Sequence, residues 1–149
     1  MKDRLVEPFA FTANNNEIWC YEPESGKNKL FKVSRITKVE MTVTLWQFEG
    51  DHQEGYIDVF HNSSEQRLPV TLRLGMAAAN LLVEEFPLAE KHLSKEDESH
   101  WIFSADVCRY EGVGRFVIGL LDDIEIVDSP AFEAFLAKKV KKITEKIKV

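Results

Sequence analysis

Pro69-Val70-Thr71-Leu72-Arg73-Leu74, followed by Met76-Ala77-Ala78-Ala79-Asn80-Leu81-Leu82, decides the fold class of this chain. The first run reads as a strand, with Val70, Leu72 and Leu74 on one face. The second is rich in Ala and Leu, both good helix formers, and predicts a helix to Phe86 that ends at Pro87. Downstream, Leu88 to Leu93 and His100 to Tyr110 read as strands on either side of the charged turn Ser94-Lys95-Glu96-Asp97-Glu98-Ser99. Glu111 to Leu121 predicts a helix, because Val113, Phe116, Val117, Leu120 and Leu121 recur at helical spacing. Ile124-Glu125-Ile126-Val127 is the next strand. Ser129-Pro130 places an N-cap residue before Pro at the first helical position, opening a last helix. Its apolar face is Phe132, Phe135, Leu136, Val140, Ile143 and Ile147. The order from 68 to 128 is thus βαββαβ, the ferredoxin-like split βαβ order.

Toward the amino terminus the pattern changes. Residues 49–67 are polar around the island Tyr56-Ile57-Asp58-Val59-Phe60 and form the expected linker. Before it come short strand patterns: one around Val6-Glu7-Pro8-Phe9, where Pro8 implies an edge; Glu17 to Glu22; Leu30 to Val33; and a long one from Ile36 to Trp46, rich in β-branched residues. Short strands joined by tight turns describe a small β-barrel or strongly curved sheet. The expected organisation is α+β: a β-rich module over 1–48, the linker 49–67, and an α+β domain over 68–149.

The 149 residues are 44% hydrophobic and 30% charged, which excludes a disordered chain. No apolar run approaches the length of a transmembrane helix, and Met1 to Pro8 has no apolar core for a signal peptide. Cys20 and Cys108 lie in apolar runs without CxxC spacing. Two buried free thiols in a reducing, cytoplasmic setting are expected, with a disulfide between them as the other reading. The net charge of −6 is unevenly spread. Residues 1–48 are nearly balanced, residues 49–137 are strongly acidic, and residues 138–149 carry six lysines against Glu145. Bulk charge therefore excludes a general duplex-DNA binder, and any polyanion site must be local.

Signals for catalysis are weak. His52, His61, His92 and His100 are scattered without ligand spacing, and there is neither a GxSxG elbow nor a P-loop. Gly112-Val113-Gly114 lacks the third glycine of a dinucleotide fingerprint and reads as close packing at the start of a helix. Asp122-Asp123 with Glu125 reads as a solvated turn, a divalent-cation site being the other reading. No enzyme activity, cofactor or metal is expected.

The informative stretch is Lys27 to Lys38, which holds Lys27, Lys29, Lys32, Arg35 and Lys38 with no acid among them. Beside it lies the aromatic run Trp19-Cys20-Tyr21. Basic groups next to aromatic faces suit phosphates and stacked bases. The same residues also fit a solvated basic face over a core tryptophan, and spacing alone leaves both readings open.

Val6-Glu7-Pro8-Phe9, Ile18-Trp19-Cys20-Tyr21 and Leu30-Phe31-Lys32-Val33-Ser34-Arg35-Ile36 together resemble the WYL domain family. Its members carry a "VEP" strand, a Trp-Tyr-Leu triplet and a "FRLDRI"-type strand. The βαββαβ region resembles the WCX extension that commonly follows, so the resemblance spans roughly residues 4–48 and 68–147. It implies an Sm/SH3-like β-barrel followed by a ferredoxin-like domain and a C-terminal helix. The implied role is a bacterial transcription regulator's sensor for negatively charged ligands, such as a nucleotide or single-stranded nucleic acid. Arg35 matches the Arg of the "RI" pair, and Lys32 stands where the family has its first Arg. Trp19, Cys20 and Tyr21 occupy the triplet in one register; in another, Tyr21 matches a later aromatic. Cys20 in place of Tyr loses a hydroxyl and a ring, and Lys32 in place of Arg loses the bidentate fork. Trp19, Cys20, Tyr21, Lys32 and Arg35 are the expected ligand contacts, with Arg4, Lys27 and Lys29 as rim charge. No helix-turn-helix pattern is present. A DNA-binding domain is thus expected upstream if the chain is a fragment, and a stand-alone sensor is the other reading. A homodimer formed through the last helix is the alternative function, its Lys138, Lys139, Lys141 and Lys142 pairing with acids of a second subunit.

Overall fold

The computed structural model describes residues 2–64 and 66–148. The chain is mixed α+β with antiparallel sheets, and it divides into two compact units. The first comprises Met1–Tyr56 and Ser63–Glu65, the second Ile57–Asn62 and Gln66–Val149.

In the first unit, β1 (Glu7–Phe11), β2 (Glu17–Glu22) and β3 (Lys27–Lys32) form a three-stranded meander in the order β1-β2-β3. The β1 register slips between Pro8 and Ala10, a bulge beside a residue that cannot donate to the ladder. Gly26, at φ 66°, closes the β2–β3 loop by donating its amide to the Glu22 carbonyl at 2.9 Å. A left-handed backbone at this point favours glycine. After β3 comes one 3-10 turn, Val33–Arg35, and then no regular structure as far as Phe48.

The strand expected over Ile36–Trp46 is therefore not formed. Its β propensity is genuine, but a strand needs a neighbouring edge, and propensity alone does not hold one. Both ends of the segment are directed elsewhere. Ile36 N–H bonds back to the Val33 carbonyl, and the Gln47 and Phe48 amides donate to the Glu7 carboxylate at 3.0 and 3.2 Å. The sheet stays three-stranded, and no closed barrel is present among the described residues.

Two short strands follow, β4 (Tyr56–Ile57) and β5 (Ser63–Ser64). The second unit then runs β6 (Leu68–Gly75), α1 (Met76–Glu85), β7 (Leu93–Lys95), β8 (His100–Val107), α2 (Tyr110–Gly119), β9 (Ile124–Val127) and α3 (Pro130–Ile147). Its sheet order is β7-β8-β6-β9 with antiparallel neighbours. The alternation in β6 buries Val70, Leu72 and Leu74, which meet Phe103, Leu82, Val113, Val117 and Phe132 in one core.

Two local readings change. Leu88 to Leu93 is not a strand: Pro87 opens a 3-10 helix, Pro87–His92, and pairing starts only at Leu93. Ser129 stands at the N-cap of α3, but its hydroxyl donates to the Val127 carbonyl at 2.8 Å and accepts from Thr71 N–H at 3.1 Å. It fastens the end of β9 to β6 instead of capping the helix. Helix α1 begins after Gly75 with no cap from its own N-terminal residue. Asp123, in the turn before β9, supplies it: Oδ2 accepts from Ala78 N–H at 2.7 Å. A Cβ at position 75 would lie 1.9 Å from Asp123 Oδ1, so only glycine fits beneath this cap.

Nor are residues 49–67 a free linker. Asp58, fully buried, accepts from the Phe60 and Asn62 amides, both at 2.9 Å, and from Cys108 N–H at 2.8 Å. Phe60 packs its ring on Phe86, Phe103 and Phe116. The island 57–62 is thus core of the second unit, ordered by one carboxylate. Asp58→Ala is expected to cost about 3 kcal/mol, because it leaves three backbone donors without their acceptor. Chemical denaturation measures that loss, and an unchanged midpoint would show that water replaces the carboxylate.

Candidate functional site

Strand β2 carries the aromatic run, and all of it is buried. Trp19 and Cys20 are each 3% exposed. The Trp19 ring edge lies against Gly55, where a Cβ would come within 2.8 Å of it. Tyr21 packs against Phe48 and His52 at ring distances of 5.3 and 6.1 Å. Burial pushes the Cys20 thiol up to about 11, so it stays protonated. Expected at a ligand surface, these three side chains form the hydrophobic interior of their own unit. The exposed rings of the unit are Phe11 and Trp46.

The cations divide into two sets, and Glu22 makes the division. Its carboxylate is 3% exposed at the end of β2. Arg4 Nη1 reaches Oε2 at 2.6 Å, and Lys29 Nζ reaches Oε1 at 2.5 Å. The Arg4 guanidinium also stands over the Phe31 ring, 5.8 Å from its centroid. These two rim charges are therefore committed to a buried acid. The bonds from Lys29 and Arg4 hold the Glu22 carboxyl well down, at about 2, against the opposing effect of burial.

Lys27, Lys32 and Arg35 are exposed and form no ion pair among the described residues. Lys32 ends β3, and Arg35 follows across the 3-10 turn. Lys27 begins the same strand, opposite Glu22 in register. The strand separates Lys27 from Lys32 by about 17 Å. Phe11, opposite Ile18, and Phe31, opposite the same residue, bring an exposed ring to the Lys32 end of the sheet. β3 is an edge of the sheet, and lysines there also oppose edge-to-edge pairing.

A second polar constellation escaped the sequence reading. His52 Nε2 lies 2.8 Å from Glu7 Oε1, with both side chains nearly buried. The imidazole stacks on Phe9 at 4.7 Å and takes the Trp46 ring edge-on at 4.8 Å. Burial acts to raise the Glu7 carboxyl. The amides of Gln47 and Phe48 and the His52 ring outweigh it, and the net shift is downward. The signal in sequence is only an acid at the head of an apolar strand and a histidine in a polar loop.

In the second unit, Gly112 and Gly114 lie inside α2. A Cβ at Gly112 would meet Phe60 at 3.0 Å, and one at Gly114 would meet Phe135 at 3.1 Å, so both serve close packing. Asp123 is spent on capping α1, and Glu125 lies 3.5 Å from Arg73, whose guanidinium also holds Glu96 at 2.6 Å. Among the described residues no group of three or more His, Cys, Asp or Glu is placed to hold a metal ion. No helix among them is long and apolar enough to cross a membrane.

The lowered Glu22 carboxyl sets an acid dependence. Its contribution is complete above the ordinary value of 4.5 and is lost as pH falls toward about 2. The urea midpoint of the wild type is expected to drop through that window. Glu22→Gln, which has no proton to take up, is expected to show a flatter profile.

Compared with models of known protein families the chain matches none, and no curated protein matches it.

Proposed function

We propose that this chain is the ligand-sensing region of a WYL-type transcription regulator of the bacterial cytoplasm, capturing a negatively charged ligand such as a nucleotide or single-stranded nucleic acid. The observation that carries this reading is the sorting of the cations by Glu22. Arg4 and Lys29 are neutralised, while Lys32 and Arg35 stay exposed and uncompensated around one turn. Two such groups supply charge-assisted bonds to phosphate oxygens. Phe11 is exposed at the same end of the sheet but, in register with Ile18 and Phe31, lies on the face opposite Lys32, so the reading rests on the cations alone. The sheet order β7-β8-β6-β9, with antiparallel neighbours, supports a ferredoxin-like, WCX-type second unit. The meander of the first unit supports the WYL-like part only as far as its first three strands.

A second reading, homodimerisation, draws on α3. Its apolar stripe begins buried with Phe132 and Leu136 and continues exposed through Val140, Ile143 and Ile147, between lysines. The acids around Arg73, namely Glu96, Asp97 and Glu125, are complementary in charge to Lys138, Lys139, Lys141 and Lys142 of a second copy.

Titration of a labelled single-stranded oligonucleotide tests the first reading. Arg35→Ala and Lys32→Ala are each expected to weaken binding about tenfold. The log–log salt slope of about −1.4 for two neutralised phosphates is expected to halve in either variant. Glu22→Gln, by releasing Arg4 and Lys29, is expected to tighten binding. Equal affinity across wild type, Arg35→Ala and Lys32→Ala would overturn the site.

A further inference from the structure

The second half of α3 leaves the body of its unit. Phe132 and Leu136 lie in the core, but from Ala137 to Lys148 no residue is buried. The side chains there keep a strict order. Val140, Ile143 and Ile147 follow Leu136 at i+4, i+7 and i+11, on a stripe about 60° wide. They are 52%, 42% and 64% exposed. Lys139 and Lys146 border the stripe on one side, Thr144 and Lys141 on the other. Thr144 donates its hydroxyl to the Val140 carbonyl at 3.0 Å, so that border carries no unsatisfied donor beside the stripe. Glu145 is the one acidic side chain of residues 138–149, and it stands about 180° from the centre of the stripe. None of the lysines in this half forms an ion pair among the described residues.

We propose that this half of α3 is a peripheral anchor for an anionic bilayer surface, its stripe set among the upper acyl chains and its lysines at the lipid phosphates. Charge complementarity selects that occupant. Lys138 with Lys142, Lys139 with Lys142, and Lys142 with Lys146 are like-charged neighbours one turn apart. They oppose the helix in water, and a negative surface relieves them. The lone acid faces away from where that surface would lie. A bilayer meets both parts of the pattern at once, with hydrocarbon under the stripe and phosphate along each border, where lysine stems reach outward.

Other occupants meet one part only. A nucleic-acid backbone answers the lysines and leaves Val140, Ile143 and Ile147 in water. A second copy brings Glu96 and Glu125, which already share Arg73. The apolar run is too short to cross a bilayer, so the helix lies along its surface. The stripe is thin, and charge supplies most of the affinity: each lysine near such a surface is worth about fivefold. The anchor uses neither Lys32 nor Arg35, and it gives the α3 stripe a different occupant from the homodimer reading.

Co-sedimentation of the full chain with vesicles is the test, one set of phosphatidylcholine alone and one with a third of phosphatidylglycerol. Binding is expected to the anionic vesicles only, and to fall away at high salt. Lys139→Gln with Lys146→Gln is expected to weaken it about 25-fold. Ile143→Glu is expected to abolish it; the side chain is exposed, so circular dichroism and thermal midpoint should match the wild type. Lys32→Ala and Arg35→Ala are expected to bind vesicles as the wild type does, so the anchor and the anion site fail separately. The proposal is overturned by absence of vesicle binding, by equal binding to neutral vesicles, or by binding that survives Ile143→Glu. A lipid-free dimer in sedimentation equilibrium that Ile143→Glu dissociates would overturn it in favour of a second copy. Oligonucleotide affinity that falls with Lys139→Gln and Lys146→Gln but not with Ile143→Glu would overturn it in favour of nucleic acid.

Discussion

A carboxylate with almost no access to water must find compensation inside the protein, and Glu22 finds it in Arg4 and Lys29. That requirement shapes the rest of the first unit. It ties the segment before β1 to the β2–β3 hairpin, and it places the Arg4 guanidinium over Phe31. It also withdraws two of the positive charges in this region from any external partner. What remains available is decided by subtraction: Lys27, Lys32 and Arg35 have no such obligation. The uncompensated positive charge of the surface is thus a consequence of one buried acid as much as of the bases themselves.

The second unit shows how much was legible in the sequence, and why. β6, α1, β8, α2, β9 and α3 lie close to where periodicity puts them, because burial of one face imposes a repeat that residues such as Val70, Leu72 and Leu74 display directly. Local chemistry misled in three places. Pro87 opened a 3-10 helix as well as ending α1, Ser129 turned its hydroxyl to β6 and β9, and the stretch around Asp58 was polar in composition yet core in fact. In the last two the deciding partner is remote in sequence: Thr71 lies 58 residues from Ser129, and Cys108 lies 50 from Asp58. No local pattern encodes such a partner.

Of the candidate site, the exposure of Lys27, Lys32 and Arg35 was legible in the sequence; the burial of the rings and the pairing of Arg4 and Lys29 with Glu22 were not. Lysines and arginines on a strand are solvated by default, so Lys32 and Arg35 stand where the sequence puts them. Aromatic residues carry no such label. Trp19 and Tyr21 can face a ligand or the interior, and Gly55, which leaves room for the Trp19 ring, lies 36 positions away. Over 36–46, alternation marks the residues able to form a strand, while the edge that would receive it is a property of the whole assembly. The pairing of Glu7 with His52 was invisible for the same reason.

The cap on α1 has a consequence for how the second unit comes together. Its acceptor, Asp123, lies 45 residues downstream of the amide it satisfies, beyond two further strands and another helix. Short isolated helices are marginal in water. The first helical turn of this unit therefore stays incomplete until the chain leading into β9 has docked. Early and late portions of the polypeptide are thereby made to order in a single cooperative event, with Gly75 keeping the landing place open for the arriving side chain.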